Sequence, residues 1–513
     1  MQYWSLYFFA KFALYFNHAI KFSWVLNLLL AVCVTISFRQ RRWRIAQQSI
    51  AAIAAVALLY YESSLPPPAR LLAEIARMSS YSFDYLLELL SRFINLWYVL
   101  VFAGMVALYA LLANRLRLSS FVFVGILCIP LLAHLGLPAR DVSIVGDDAE
   151  RGTERDPTVM LNTFYTEQKS RELTLPSVAQ AKHPFDIVIL QPGELSWDDL
   201  AFVDAPYPKL LNRFDAVMLN FNSATSHSTP AAKRLMRGSC GQTSDSVLAQ
   251  AAEPGCALFP ALKQAGYVTA VVMNHNGRYN QFGATISAYA GTRALEGKWG
   301  SVNMHGFDGT PVYDDFSVLS KWWSKHHTHP GGKPIALYYN SITLHDGTTI
   351  DHARPINSVQ SYKPRLDKLL QDFDHFITQV EQSGRPTVVI LIPAHGVAMR
   401  GDTLQAAGMR EIPSPRLTLV PVAVKLVGID RKQQAKPPLE VKHPISYFGL
   451  FSLLADLMAD NPYEHSAKSL SERLALLPET RFVSENENII IMQRDDGYVM
   501  RSAEDLWIKY DSN

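Results

Sequence analysis

Apolar residues crowd the first quarter of the chain and then change their spacing. "FSWVLNLLLAVCVTISF" (22–38), "IAAIAAVALLYY" (50–61), "LWYVLVFAGMVALYALLA" (96–113) and "FVFVGILCIPLLAHLGL" (121–137) are near-continuous apolar runs. Their lengths can cross a bilayer, given tilt and interfacial flanks. The start, "YWSLYFFAKFALYF" (3–16), is aromatic-rich around Lys11 and predicts an interfacial helix or a short first span. The stretch 66–93, "PPPARLLAEIARMSSYSFDYLLELLSRF", repeats its apolar residues at helical spacing and predicts a helix lying on the membrane surface. Residues 1–137 thus read as a transmembrane anchor of about five helices.

From about Phe185 the runs become short and β-branched and alternate with longer helical patterns. "FDIVILQ" (185–191), "FDAVMLNF" (214–221), "YVTAVVM" (267–273), "PIALYYNS" (334–341), "TVVILIP" (387–393) and "LVPVAVKLVG" (419–428) predict strands. They are apolar throughout rather than alternating, so both faces are covered, as in a mostly parallel sheet between helices. Helices are expected over 229–238, 317–327, 362–384 and 443–460. The fold class is α/β. Residues 185–513 form one domain, and 138–184, with the charged run "RDVSIVGDDAERGTERDPT" (140–158), is expected to be a solvated linker.

Charge sets the orientation of the anchor. If "RQRRWR" (39–44) and "RLRL" (115–118) both face the cytoplasm, a cytoplasmic N-terminus needs five spans and everything after Leu137 emerges outside. No short apolar segment followed by a small-residue cleavage site marks a removable signal peptide. The net charge of +2, with no basic stripe in the soluble part, argues against a nucleic-acid partner. Cys33 and Cys128 lie inside apolar runs, as packing residues do. Cys240 and Cys256 lie in the exported part, where two thiols can bridge; the alternative is two free buried thiols.

In open α/β sheets ligands gather at the carboxyl ends of strands, and the unusual residues of this chain fall there. "NSATSHSTPAAKRL" (222–235) leaves a strand and opens a helix, with Thr229 as expected N-cap and Pro230 as first helical residue. Ser226, His227 and Ser228 then precede a helix N-terminus that favours phosphate, and a serine hydroxyl there is placed to attack phosphorus. The plainer reading is a Ser/Thr-rich turn with a cap. His275, His345 and His395 end three different strands, each with glycine within two residues. One such histidine is commonly a hydrogen-bonded loop residue; three converging with a serine form a candidate site.

The anchor followed by "FNSATSHSTPAAKRLMRGSCGQTS", "GFDGTPVYDD", "LHDG", "HG" and "MREIPSPR" resembles the phosphoethanolamine transferases encoded with bacterial cellulose synthases, the BcsG family of the alkaline phosphatase superfamily. The resemblance covers nearly the whole chain. It implies an inner-membrane protein with a periplasmic catalytic domain that works with the cellulose synthase complex. One zinc ion would assist transfer of phosphoethanolamine from phosphatidylethanolamine to a serine and then to cellulose. Ser228 matches the nucleophile, His395 the metal histidine of an "EHG" motif, and His345 and Arg410 match residues around the phosphoryl group. Coordination to zinc would lower the pKa of Ser228, and Arg410 would hold phosphate oxygens in bidentate fashion. His227 and His275 are expected to bind substrate, and Cys240 and Cys256 match a family disulfide.

Two metal-ligand positions depart from that pattern. The family's cysteine after the first strand is Gly193, and the acid before the zinc histidine is Ala394. His227 stands where tyrosine is common. Ser228 and His395 alone are two ligands where zinc takes three or four. "GELSWDD" resembles the "GET" strand end of the lipid A phosphoethanolamine transferases, which would make Glu194 a replacement ligand; the other reading of Glu194 is a solvent-facing loop acid. Three functions follow: a transferase with a rearranged zinc site of Glu194, Ser228 and His395; a pseudoenzyme that scaffolds the synthase complex; and a related phosphotransferase or hydrolase with another head group or acceptor.

Overall fold

The computed structural model describes all residues except 1, 17–19, 37, 64–80, 94–95, 113–117, 135–152, 154, 179–182, 327–331, 352–357, 403, 406, 430–436, 465–466 and 512–513. The chain divides into two units, Met1–Val142 and Ser143–Asn513.

The first unit is helical, with helices Gln2–Phe16, Trp24–Thr35, Arg41–Glu62, Phe83–Phe93, Leu96–Leu112 and Leu118–His134. Phe8, Leu30, Val34, Ala51, Ala55, Val122 and Ile126 pack together, while Leu29, Ile50, Ile53 and Val56 point outward. Among the described residues one helix, Arg41–Glu62, is long and apolar enough to cross a membrane. The expected span at 22–38 yields the 12-residue helix Trp24–Thr35, and those at 96–113 and 121–137 yield helices of 17 residues. The last two end at residues outside the described ones. Of the expected surface helix, 66–80 lie outside the described residues and Phe83–Phe93 is helical. Lys11, Asn27 and Glu62 form a buried polar knot: Lys11 Nζ donates to Asn27 Oδ1 at 2.6 Å and pairs with the Glu62 carboxylate.

In the second unit all six expected strands form. In chain order the strands are β1 (Asp186–Pro192), β2 (Ala216–Asn222), β3 (Val268–Met273), β4 (Ala294–Glu296), β5 (Val302–His305), β6 (Pro311–Tyr313), β7 (Ile335–Ser341), β8 (Thr349–Ile350), β9 (Thr387–Leu391), β10 (Leu419–Val427) and β11 (Leu439–Val441). The main sheet has the order β11-β2-β10-β9-β1-β7-β3-β4 and is parallel except for β10, which runs against both neighbours. β1, β7 and β9 are buried along their whole length. One core lies on each face, around Phe221, Tyr338 and Phe451 on one side and Trp323, Leu366 and Phe373 on the other. Two-sided burial explains why their sequences are apolar throughout.

Two elements were not expected. β5, β6 and β8 form a small sheet, and β12 (Val483–Asn486), β13 (Ile489–Arg494), β14 (Gly497–Arg501) and β15 (Trp507–Tyr510) form a four-stranded antiparallel sheet. The linker expectation for 138–184 is corrected in its second half. Helix Pro157–Lys169, capped by Asp156, buries Leu161 and Phe164 against Val483, Ile490, Met492, Val499 and Trp507. Those two side chains, three apart, face one way on a helix, so the segment docks rather than floats. The expected N-cap at Thr229 is also corrected: the helix runs Ser228–Met236, with His227 in extended conformation before it. Pro230 is thereby the third residue, still in the first turn where no N–H is required.

Candidate functional site

β1 and β9 are neighbours, and their pairing continues past the strand ends until Glu194 bridges His395. Leu195 N donates to His395 O at 2.6 Å, and Ala394 N to Pro192 O at 3.0 Å. Glu194 and His395 are both fully buried, which excludes the solvent-facing reading of Glu194. Gly396 follows because nothing larger fits: a Cβ there would lie 2.5 Å from both Asp199 Oδ2 and Ser196 Oγ. Asp199 closes a capping box on Ser196 and accepts Val397 N at 2.9 Å, so it holds the turn after His395.

Across the sheet, β2 delivers the loop 223–227 and the helix that opens at Ser228. Ser228 Oγ is 3.0 Å from His395 Nε2. The other ring nitrogen, Nδ1, lies 2.8 Å from the Gly396 carbonyl, an acceptor only, so Nδ1 carries the proton and donates. Nε2 is then the lone pair that accepts from the Ser228 hydroxyl. Burial drives the His395 imidazole well below its usual pKa, and the charges of Arg410 and His227 push the same way. His395 therefore rests neutral with Nε2 turned to the serine.

Glu194 faces the remaining groups. Its Oε2 accepts Asp346 N at 2.6 Å, and its Oε1 pairs with the Arg410 guanidinium, with His345 Nε2 at 3.6 Å. The His345 ring lies against Phe307 with centroids 5.3 Å apart, and its loop is held by buried Arg365, whose Nη1 donates to Thr343 O at 2.6 Å and His345 O at 3.1 Å. His227 is half-buried beside Ser228. His275 does not meet its substrate-binding expectation: Nε2 donates to Asn340 Oδ1 at 2.9 Å and Nδ1 accepts Gly277 N at 3.1 Å, which leaves neither ring nitrogen for a ligand. Burial pushes its pKa down to about 4.

The residues present do not fit the zinc ion that the resemblance implies. Gly193 and Ala394 supply no side-chain donor atom, and Ala394 is buried immediately before His395. Glu194, the replacement ligand, already carries a guanidinium on Oε1 and a backbone amide on Oε2. The cation at this carboxylate belongs to the chain itself. Among the described residues no group of three His, Cys, Asp or Glu side chains is arranged to hold a metal, and zinc needs three or four ligands.

Cys240 and Cys256 are bonded, with Cα atoms 5.0 Å apart. The bridge ties the segment after the Ser228 helix to the turn Pro254–Cys256.

A family model for the C-terminal domain of the cellulose biosynthesis protein BcsG matches residues 144–507, and one for the BcsG N-terminal domain matches 4–131. The chain belongs to the BcsG family. The BcsG of Escherichia coli K12 is 31% identical over 542 aligned positions, covering 99% of this chain and 96% of that protein. The Salmonella typhimurium BcsG is 30% identical, again covering 99% and 96%. Among solved structures, an alkaline phosphatase superfamily protein from Vibrio parahaemolyticus superposes with a TM-score of 0.50 at 14% identity, covering 69% of this chain and 88% of its own. That likeness shows the alkaline-phosphatase-like fold of this BcsG-family chain.

Asp199, Tyr362, Arg365 and Asn486 were not singled out from sequence, although each shapes the site. Asp199 had a visible signal, the S-x-x-D of "SWDD". Tyr362, whose hydroxyl donates to Glu194 O at 2.7 Å, lies within an expected helix and carries no local mark of that contact.

Proposed function

We propose that this BcsG-family chain is a multi-pass inner-membrane protein whose domain faces the periplasm and transfers phosphoethanolamine from phosphatidylethanolamine to cellulose through Ser228. The observation that carries the reading is the 3.0 Å contact of Ser228 Oγ with a neutral, tautomer-fixed His395 Nε2. In the first half-reaction Ser228 Oγ bonds to phosphorus and the bond to the diacylglycerol oxygen breaks. The serine proton passes to His395 Nε2 and on to the departing alkoxide. In the second half-reaction a glucosyl hydroxyl gives its proton to His395 and attacks phosphorus, and Ser228 Oγ leaves and regains a proton. Arg410 supplies positive charge and hydrogen-bond donors beside the phosphoryl group, and His345 lines the same side of the site. The anchor, the apolar side chains it turns outward and the family's role in cellulose biosynthesis support work beside the cellulose synthase complex.

The test is phosphorus solid-state NMR of cellulose from cells carrying the wild-type chain or Ser228→Ala. Phosphoethanolamine in the first and none in the second is the expected result, and unmodified cellulose from the wild type overturns the reading.

A second reading, a scaffold without catalysis, is favoured by the Arg410–Glu194 pair and the methyl of Ala394. It has Ser228→Ala leave cellulose output unchanged while removal of the helices in 1–137 lowers it. A phosphoserine adduct on Ser228 after incubation with phosphatidylethanolamine would sink it.

A further inference from the structure

The loop that presents the nucleophile and the loop that carries Arg410 meet on one side chain from outside the main sheet. Asn486 ends β12 and is 3% exposed. Its Oδ1 accepts from Thr225 Oγ1 at 2.8 Å and from Ser226 N at 3.3 Å. Its Nδ2 donates to Ser226 Oγ at 2.5 Å and to Arg410 O at 2.9 Å, with Glu411 O at 3.1 Å sharing one of the two hydrogens. Ser226 Oγ completes the triangle by donating to Arg410 O at 2.5 Å. A carboxamide offers one acceptor with two lone pairs and two donors in a short side chain. An aspartate of the same size offers acceptors only and would face two carbonyl oxygens.

The neighbouring backbone depends on the same strand. Ala224 sits at φ 61°, a conformation rare for a residue with a side chain. Its amide donates to Asn222 Oδ1 at 2.9 Å and its carbonyl accepts Glu485 N at 3.0 Å. Asn222 Nδ2 donates to Val483 O at 3.0 Å. β12 thus grips the chain from Asn222 to Ser226, two residues before Ser228. The strand is held from its other side by helix Pro157–Lys169, where Tyr165 OH donates to Glu485 Oε2 at 2.7 Å.

We infer that Asn486 is a positioning residue: it fixes the loop that presents Ser228 in register with Arg410, so that the serine hydroxyl and the guanidinium address the same phosphoryl group. The identity of that group rests on the transferase reading; the coupling of the two loops does not.

The experiment uses the full chain in detergent and orthovanadate as a phosphoryl mimic, with binding followed by vanadium NMR and folding by thermal melting. Asn486→Asp keeps volume and removes the donors. It should weaken orthovanadate binding about tenfold, as loss of charge-adjacent hydrogen bonds does, and Asn486→Ala should do so equally. A packing role would spare N486D and harm N486A. If N486D melts well below the wild type, a cycle of N486A, S226A and the double variant carries the test. Non-additive losses support the coupling, and additive losses overturn it. Wild type that binds no orthovanadate, or N486D that binds as the wild type does, also overturns it. Unmodified cellulose from the wild type, together with vanadate binding that N486D loses, overturns the transferase reading alone.

Discussion

The guanidinium of Arg410 rests on the carboxylate of Glu194, which is fully buried between the ends of β1 and β9. A buried carboxylate needs a partner, and breaking such a pair commonly costs 3–5 kcal/mol. Here the partner is a fixed cation of the chain, at the acid that would otherwise be free to bind metal.

Zinc retention follows from that pair. Purified full-length protein, washed without chelator, should hold substoichiometric zinc by elemental analysis, because Glu194 is already paired with Arg410 and, among the described residues, no three His, Cys, Asp or Glu side chains are arranged to hold a metal. Ala394→Glu restores a carboxylate beside His395 and should raise the zinc content toward one per chain. It should also make the melting temperature rise with added zinc, by about 2.7 kcal/mol of stabilisation at a hundredfold excess over Kd. Stoichiometric zinc in the wild type that His395→Ala removes would refute the misfit.

Gly396→Ala should be costly although the residue has no chemistry. The added Cβ would meet Asp199 Oδ2 and Ser196 Oγ at 2.5 Å and Ser196 Cβ at 2.7 Å. Overpacking of this kind costs about 1–3 kcal/mol. Chemical denaturation should show the loss, and Ser196→Gly in the same chain, which removes two of the three clashing atoms, should recover part of it. Wild-type stability for Gly396→Ala would mean that the turn after His395 yields easily.

The bond between Cys240 and Cys256 closes a short loop, with a sequence separation of 16. A loop of that size restricts the unfolded chain by about 3 kcal/mol in the chain-entropy view. Cys240→Ser should lower the melting temperature and remove its sensitivity to reductant. An unchanged melting temperature would show that the local hydrogen bonds, such as Leu173 N to Ser239 O at 2.7 Å, hold the segment without the bridge.

Legibility followed burial. The six strands of the main sheet announce themselves because covered faces demand apolar residues at every position, as in Ile187 to Leu190. The C-terminal sheet carries a weaker signal, although the two residues Asp495 and Asp496 join β13 to β14 and Gly497, the first residue of β14, takes φ 129°. Its strands are short and mixed in polarity. Ser228 and His395 were readable because their types and strand-end positions constrain their roles. The direction of Glu194 was not, since it depends on pairing between β1 and β9, which are far apart in sequence. The partners that Glu194 took, Arg410 and Asp346 N, come from two further loops. Asn486 was hidden for the same reason: its neighbours Thr225, Ser226 and Arg410 are brought to it only by the tertiary fold.

Asp199 gives a prediction for pH. Burial pushes its carboxyl up to about 7, against the opposing hydrogen bonds from Val397 and Ser196. The folded state therefore holds this proton more tightly than the unfolded state, where the value is about 3.9. Stability from this group is fully present below the unfolded value and is lost as pH rises through the folded one, so the window runs from about 4 to about 7 at about 1.4 kcal/mol per unit. Asp199 Oδ1 has no hydrogen-bond partner among the described residues, whereas Oδ2 accepts from Ser196 and Val397. Asp199→Asn can keep the accepting oxygen while never ionising. Melting curves across that window should show the wild type losing stability with rising pH more steeply than Asp199→Asn, with the two converging at the acid end. Parallel curves would mean that water reaches the carboxylate and that its charge is not held off by burial.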